Sequence, residues 1–426
     1  MAGPIAQNID GPGGPDRVTT YAWLVFALSF GLLISDYMAR QVLNAVFPLL
    51  KAEWSLTDTQ LGLLSGIVAI MVGILTFPLS LAADRWGRVR SLALMAILWS
   101  VATLLCAAAE SFETMLIGRA LVGIGEAAYG SVGIAVVISV FPARLRATLS
   151  AAFMAGGLFG QVLGVAIGGA IAASHGWRTV FAAIGLAGLV LGILYPLLVK
   201  ERRIAALADT GCAAQASQVA PLRDLVGNRS VRLAYVASGL QLFAAGALPA
   251  WLPSYFNRVY HLPVDKAGSL AALLLLICGS GMILCGMASD RLARNQPKAK
   301  IVLAIAYCLG TALSLFLAML LPPGMPQLVL LGIAMFLVAG TVGPVGAMVA
   351  NLTPLAIHGS AFATLTLANN LIGLAPGPIL TGRIADTIGL TEAFRLLPVP
   401  CLLAALTYAL MRRSYLDDLE ARLEAR

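Results

Sequence analysis

Four ionisable side chains inside otherwise apolar stretches are the residues of this sequence best placed to do chemistry. Asp36 and Arg40 stand four residues apart. Arg119 and Glu126 stand seven apart, both inside the run "LIGRALVGIGEAAYGSVGIAVVISVF" at 116–141. In a helix either spacing puts the pair on one face. A charge at membrane depth costs on the order of 3 kcal/mol, so it faces a partner or a wet path. At ~1.5 Å per residue, Asp36 lies about 21 Å from a first-span end at Leu50, and Glu126 about as far from Phe112. Arg40 and Arg119 then lie closer to that same end. A planar guanidinium matches a carboxylate or phosphate. The arginines are therefore candidate ligands for an anion, and Asp36 and Glu126 candidate proton carriers. The alternative is a buried ion-pair network that only fixes helix register.

The elements that must hold these residues are apolar helices. Of 426 residues, 59% are apolar and 11% charged, and mean hydropathy is +0.89. Soluble domains run nearer about 25% charged. Runs of about 20 apolar residues, each able to cross a bilayer core, recur along the whole chain. Twelve spans are expected near 19–50, 58–83, 89–109, 112–141, 144–173, 177–199, 229–260, 264–289, 299–321, 326–355, 357–385 and 391–413. Those longer than about 25 residues imply tilt or bending. The longest polar stretch, 199–232, separates two sets of six. The expected organisation is a polar tail 1–18, a six-helix half 19–199, a linker 200–228, a second half 229–413 and a tail 414–426. The fold class is an all-α membrane protein with twelve transmembrane helices in two pseudo-symmetric halves.

Charge placement predicts the orientation. With both termini cytoplasmic, 20 of the 28 Lys and Arg fall in cytoplasmic segments, six fall outside, and Arg40 and Arg119 lie within the membrane. This is the positive-inside pattern. It accounts for the net charge of +8 without nucleic acid, and it places the protein in the cell membrane. Residues 1–18 are polar and rich in Gly and Pro, so the first span is expected to act as its own insertion signal. Cys106, Cys212, Cys278, Cys285, Cys308 and Cys401 form no CxxC pair and read as packing residues. His175, His261 and His358 fall near loops without metal or nucleophile spacing, which argues against an enzyme and against a metal. With no P-loop, no nucleotide or other cofactor is expected.

An internal repeat supports two halves. "LAADRWGR" (81–88) and "GMASDRLAR" (286–294) end the second and eighth spans with aspartates 206 residues apart. "GWRTVF" (176–181) and "GLTEAF" (389–394) match at an offset of 213. Such repeats place a transport site between the halves near the midplane. At these residues the chain resembles the major facilitator superfamily, along essentially its whole length. The signature Gly-x-x-x-Asp-Arg-x-Gly-Arg-Arg is met by Asp84, Arg85, Gly87 and Arg88, with Ser80 and Val89 at the departures. The second copy keeps Gly286, Asp290, Arg291 and Arg294, with Ala293 in place of Gly. Residues 39–66 and 118–130 further resemble spinster-like transporters and, next, anion:cation symporters. Their first span commonly carries Asn-Tyr-x-Asp-Arg; here Asp36-Tyr37-Met38-Ala39-Arg40 moves the carboxylate one turn.

The resemblance implies that the first and fourth spans line a central cavity, and that the loop charges latch its cytoplasmic side. The gating set is Asp84, Arg85, Arg88, Arg144, Asp290 and Arg291; positive-inside topology plus capping is the alternative. The substrate set is Arg40, Arg119, Tyr37 and Tyr129, with Asn369 and Asn370 from the second half, whose deep polar residues are all neutral. The expected function is secondary transport of a small or amphiphilic organic anion, coupled to protons, by a monomer. A lysolipid or drug exporter of the spinster type is the alternative, although Val165 interrupts the drug-antiporter signature at Gly164, Gly168 and Gly169. A non-transporting sensor is a third reading, and the short linker and tail leave little room for a signalling domain.

Overall fold

The computed structural model describes residues 19–207, 227–294, 298–354 and 357–424. The tail 1–18 and most of the linker lie outside the described residues, as does Cys212. The first half comprises α1 (Thr20–Trp54), α2 (Asp58–Trp86), α3 (Arg88–Ala107), α4 (Phe112–Glu126), α5 (Tyr129–Val140), α6 (Ala143–His175) and α7 (Trp177–Leu198). A short α8 (Glu201–Leu207) opens the linker. The second half comprises α9 (Arg229–Val259), α10 (Val264–Ala293), α11 (Ala299–Leu320), α12 (Met325–Val338), α13 (Val342–Leu352) and α14 (His358–Ala368). It closes with a π-helical segment Asn369–Leu374, α15 (Pro376–Ile388), α16 (Leu390–Leu396) and α17 (Pro398–Glu424). Among the described residues eleven helices, counted across short breaks, are long and apolar enough to span a bilayer. The eleventh region, 358–388, is helical but is divided into three pieces.

Three spans read as continuous are broken, and each break has a local cause. The fourth span breaks between α4 and α5 within a glycine-rich stretch of low helix propensity. Side chains bond the carbonyls of both break residues, and Ala128 O also accepts from Val132 N at 3.1 Å. Thr76 Oγ1 donates to Ala127 O at 2.8 Å, and Ser131 Oγ to Ala128 O at 2.9 Å. The tenth span breaks at 339–341, where Pro344 supplies no amide for the Gly340 carbonyl. The two breaks are 213 residues apart, the offset of the second sequence repeat. In the eleventh span Pro376 and Pro378 withhold amides from the carbonyls of Ile372 and Leu374. The helix widens there, and Ala375 N bonds Asn370 O five residues back at 2.9 Å. Gly176 and Gly389, at the same 213 offset, both have left-handed φ (80° and 90°) with ψ of 160° and 157°. They make matching turns into α7 and α16 that a side chain would strain.

The apolar core records how the halves meet. One buried cluster runs through both of them, from Phe47 and Leu50 to Trp251, Phe256 and Phe394. It lies toward the end of the bundle that carries the 55–57, 260–263 and 389 turns, here called the far end. Two other clusters lie toward the linker-bearing end. One belongs to the first half, around Trp99, Tyr129 and Phe153, and one to the second, around Met348, Tyr408 and Tyr415. The halves are thus fused at the far end and packed separately at the linker end. α2 crosses α15, and α6 crosses α10, as the main contacts between halves. The α2–α15 crossing is tight because Gly382 lies against the Asp58 carbonyl, with no room for a Cβ. α17 continues past residue 413 because Ser230 Oγ bonds Ser414 and Asp418, and Tyr415 is buried.

Candidate functional site

The four charges read from the sequence converge at mid-depth in the first half. Asp36, Arg119 and Glu126 are buried, while the Arg40 side chain keeps 23% of its surface exposed. Arg40 Nη1 stands 4.0 Å from Glu126 Oε2, the outer limit of an ion pair. Asp36 and Glu126 face each other closely enough to bond once one of them holds a proton. Asp36 Oδ1 and Glu126 Oε1 receive no hydrogen bond from another described donor. Buried acceptors without donors are costly, so this cluster adds little to the stability of the fold.

Arg119 is differently placed. Its Nη1 donates to Ala39 O at 2.8 Å, Nη2 to Arg40 O at 3.0 Å and Nε to Leu64 O at 3.4 Å. A guanidinium fully buried on three main-chain carbonyls ties α4 to α1 and α2. Tyr129 is equally committed: its hydroxyl donates to Ser29 O at 2.8 Å and its ring meets Trp99 edge-on at 4.9 Å. The sequence set both residues among the substrate ligands; in this conformation neither reaches an open surface. Tyr37 is partly exposed and packs across Gly157 and Gly160 of α6. Asn369 Oδ1 accepts from Ser238 Oγ at 2.6 Å and is partly exposed. Asn370 is buried against Gly73 of α2; its Nδ2 bonds Thr366 O at 2.9 Å while its Oδ1 lacks a partner. Both asparagines begin the π-helical segment, a distortion common at functional sites. Beside Arg40, Gln41 Nε2 donates to Gln161 Oε1 at 3.2 Å, and Gln41 Oε1 accepts from Asn44 Nδ2 at 2.6 Å. Sequence reasoning missed this amide chain, because nothing in the sequence pairs α1 with α6.

A second charged cluster sits between the halves at the far end. Arg258 reaches Asp58 with two parallel bonds of 2.7 Å, and Lys51 adds a third at 2.5 Å. Asp386 caps the start of α2 from the other half. It accepts from the amides of Asp58 (2.7 Å) and Thr59 (2.8 Å) and from Thr59 Oγ1 (2.6 Å). A carboxylate there also meets the positive end of the helix dipole. Trp251 Nε1 bonds Pro378 O at 3.0 Å beneath it, and its ring packs 5.2 Å from Phe47. The Thr57–Gln60 capping box that starts α2 is a local pattern that the sequence reading passed over. Asp386, 327 and 328 residues from the amides it caps, forms no such pattern.

One charge cluster thus lies at mid-depth within the first half, and another joins the two halves at the far end. A model of the Major Facilitator Superfamily matches residues 29–375. The chain belongs to that superfamily. Its relatives are membrane transporters rather than enzymes. The chain is 26% identical to a probable L-galactonate transporter of Escherichia coli K12, over 94% of this chain and 91% of that one. It is also 26% identical to bovine protein spinster homolog 1, over 92% of this chain and 80% of that one. In fold it matches the crystal structure of a bacterial homolog of the human lysosomal transporter Spinster, inward-facing and occupied. The TM-score is 0.81 at 21% identity, covering 94% of this chain and 99% of that one.

Most of the superfamily signature at the linker end lies at the protein surface. The side chain of Asp84 lies outside the described residues. Arg85, Arg88, Arg144, Asp290 and Arg291 are exposed. Asp290 faces Lys300 of its own half at 3.6 Å. The amides of Arg88 and Val89 donate to Glu201 at 3.1 and 2.8 Å, so the linker caps α3 within the first half.

Proposed function

We propose that this chain is a proton-coupled secondary transporter of a small organic anion. The observation that carries the reading is the facing pair Asp36 and Glu126 with the partly exposed Arg40 beside it. A hydrogen bond between two carboxyls requires a proton on one of them. An anion drawn to Arg40 competes with Glu126 for the guanidinium. Freed of that pull, the carboxyl pair holds its proton more tightly, which is the linkage symport needs. Tyr37, Asn369 and Asn370 complete the substrate contacts, while Arg119 on α4 and Tyr129 on α5 anchor the fourth span to α1 so that Arg40 and Glu126 stay opposed. The probable galactonate transporter among the relatives favours a sugar acid or a similar carboxylate.

In this reading the linker end and both termini face the cytoplasm of a cell whose plasma membrane holds the protein as a monomer. The far-end cluster of Asp58, Arg258, Lys51 and Asp386 is the closed outer gate. Asp84, Arg85, Arg88, Arg144, Asp290 and Arg291 latch the opposite end when the transporter turns over. Proteoliposomes test the function. With an imposed pH gradient, wild type should accumulate radiolabelled galactonate or a related acid, and Arg40→Ala should not. Accumulation of lysophospholipid or a cationic drug with no acid transport would give the spinster-type exporter instead. No flux of any of them would leave a sensor.

A further inference from the structure

A cavity of about 490 Å³ opens at the linker end, where the start of α3 meets the end of α7 and the start of α8. Four cations line it: Arg90, Lys200, Arg202 and Arg203. Glu201 is the one carboxylate in the lining, and it is diverted. Its two oxygens accept the amides of Arg88 and Val89, where they offset the positive end of α3. Positive-inside topology explains why cations lie at this end, but not why four of them surround one concavity.

Two of the cations are held in place. The Lys200 amide donates to Tyr21 Oη at 2.8 Å, and Lys200 Nζ donates to Pro196 O at 3.1 Å. The Arg203 guanidinium lies over the Tyr21 ring, 5.4 Å from its centre. One wall is apolar: Val89, Pro196 and Val199. It continues along α7 into Leu194, Leu197 and Leu198, which are exposed on a membrane-spanning helix and therefore face acyl chains. A basic concavity running into a lipid-facing apolar strip has the two-part character of a phospholipid.

We infer that this cavity binds the headgroup phosphate of an anionic membrane phospholipid, with Arg90 and Arg202 on the phosphate and the acyl chains along α7. A free phosphate would use the same cations but has no use for the apolar strip. Arginines near a membrane surface contribute about fivefold each to anionic-lipid affinity, so removing three should weaken binding about 100-fold. The attraction should also fade as salt screens it.

The test uses the purified full-length protein in detergent. Its thermal midpoint is followed against phosphatidylglycerol in mixed micelles, phosphatidylcholine in the same micelles, and inorganic phosphate. A specific lipid stabilises the folded protein by mass action. Phosphatidylglycerol should raise the midpoint, while phosphatidylcholine and inorganic phosphate leave it unchanged. Arg90→Gln/Arg202→Gln/Arg203→Gln should lose the shift, and Arg291→Gln/Arg294→Gln, at the same end of the second half, should keep it. Arg203 also rests on Tyr21, so Arg90→Gln/Arg202→Gln serves if the triple variant fails to fold; its apparent affinity should fall at least tenfold. An equal shift with phosphatidylcholine overturns the charge argument. An equal shift with inorganic phosphate overturns the lipid. A shift retained in both cavity variants overturns the site.

Discussion

The two charged clusters of this transporter are opposites in construction. At the far end the contacts are short and five of them cross between halves: two bonds of 2.7 Å from Arg258 to Asp58, and three from the start of α2 to Asp386. At mid-depth the charges stay in one half, the ion pair is stretched to 4.0 Å, and two carboxyl oxygens lack outside donors. A satisfied cluster holds one conformation. An unsatisfied one has affinity left for a ligand. On the proposed reading, the far end serves gating and mid-depth serves binding and coupling.

The strongest way to break this division is to remove the unsatisfied cluster. Glu126→Gln should lower pH-driven accumulation at least about 100-fold while leaving exchange without a gradient measurable, because the amide keeps the shape but exchanges no proton. Asp36→Asn should follow the same pattern less severely. If the double variant accumulates substrate on a pH gradient alone, neither carboxyl is the carrier. Arg40→Ala should instead abolish both modes, with Arg40→Lys retaining part of each, since a lysine keeps the charge and loses the fork.

Arg119 sharpens the comparison because it is a charge at mid-depth built like those at the far end. Three carbonyls from two helices surround it. Removing a buried, fully hydrogen-bonded charge costs about 3 kcal/mol. Arg119→Ala should therefore lower the thermal midpoint by several degrees as well as transport, whereas Arg40→Ala should leave the midpoint nearly unchanged. Thermal unfolding in detergent separates them. Equal midpoints would return Arg119 to the substrate set.

The charges themselves were legible in the sequence, because an ionisable residue in an apolar run is visible to composition alone. Their division of labour was not. Arg40 and Arg119 look alike in sequence, and only helix packing turns one toward an opening and the other onto carbonyls. The twelve-span frame and its repeat were legible for a similar reason: Gly176 and Gly389 end their helices in the same left-handed turn that the 213-residue offset implies. The breaks at 127–128 and 339–341 were hidden, because a carbonyl freed in the fourth span is rescued by Thr76, 51 residues away. Asp386 was hidden more deeply. A carboxylate that caps a helix in the other half leaves no local pattern.

At the far end the expected effects are conformational. Arg258→Ala leaves Asp58 buried with only Lys51, at a cost of about 3 kcal/mol to the closed state, or roughly 100-fold in population. Spin labels on the far ends of α2 and α15 should report a longer distance in that variant. Asp386→Asn keeps an acceptor for the α2 amides and loses the charge, so its shift should be about fivefold. Unchanged distances in both would reduce this cluster to packing.

The smallest effect should come from the linker end, where Asp290 pairs within its own half. Asp290 is largely exposed and sits 3.6 Å from Lys300, a geometry worth at most about 1 kcal/mol. Asp290→Asn should leave the inter-half distances of the resting protein where they are, since nothing it touches crosses between halves. Its consequence should emerge only when that end closes. If Asp290 and Asp84 are latch residues, Asp290→Asn and Asp84→Asn should reduce the population closed at the linker end once substrate and a pH gradient drive turnover. The same label pairs, read at rest and during turnover, test this directly. A change at rest from Asp290→Asn would mean that this end already carries a cross-half contact, and the contrast between the two ends would fail.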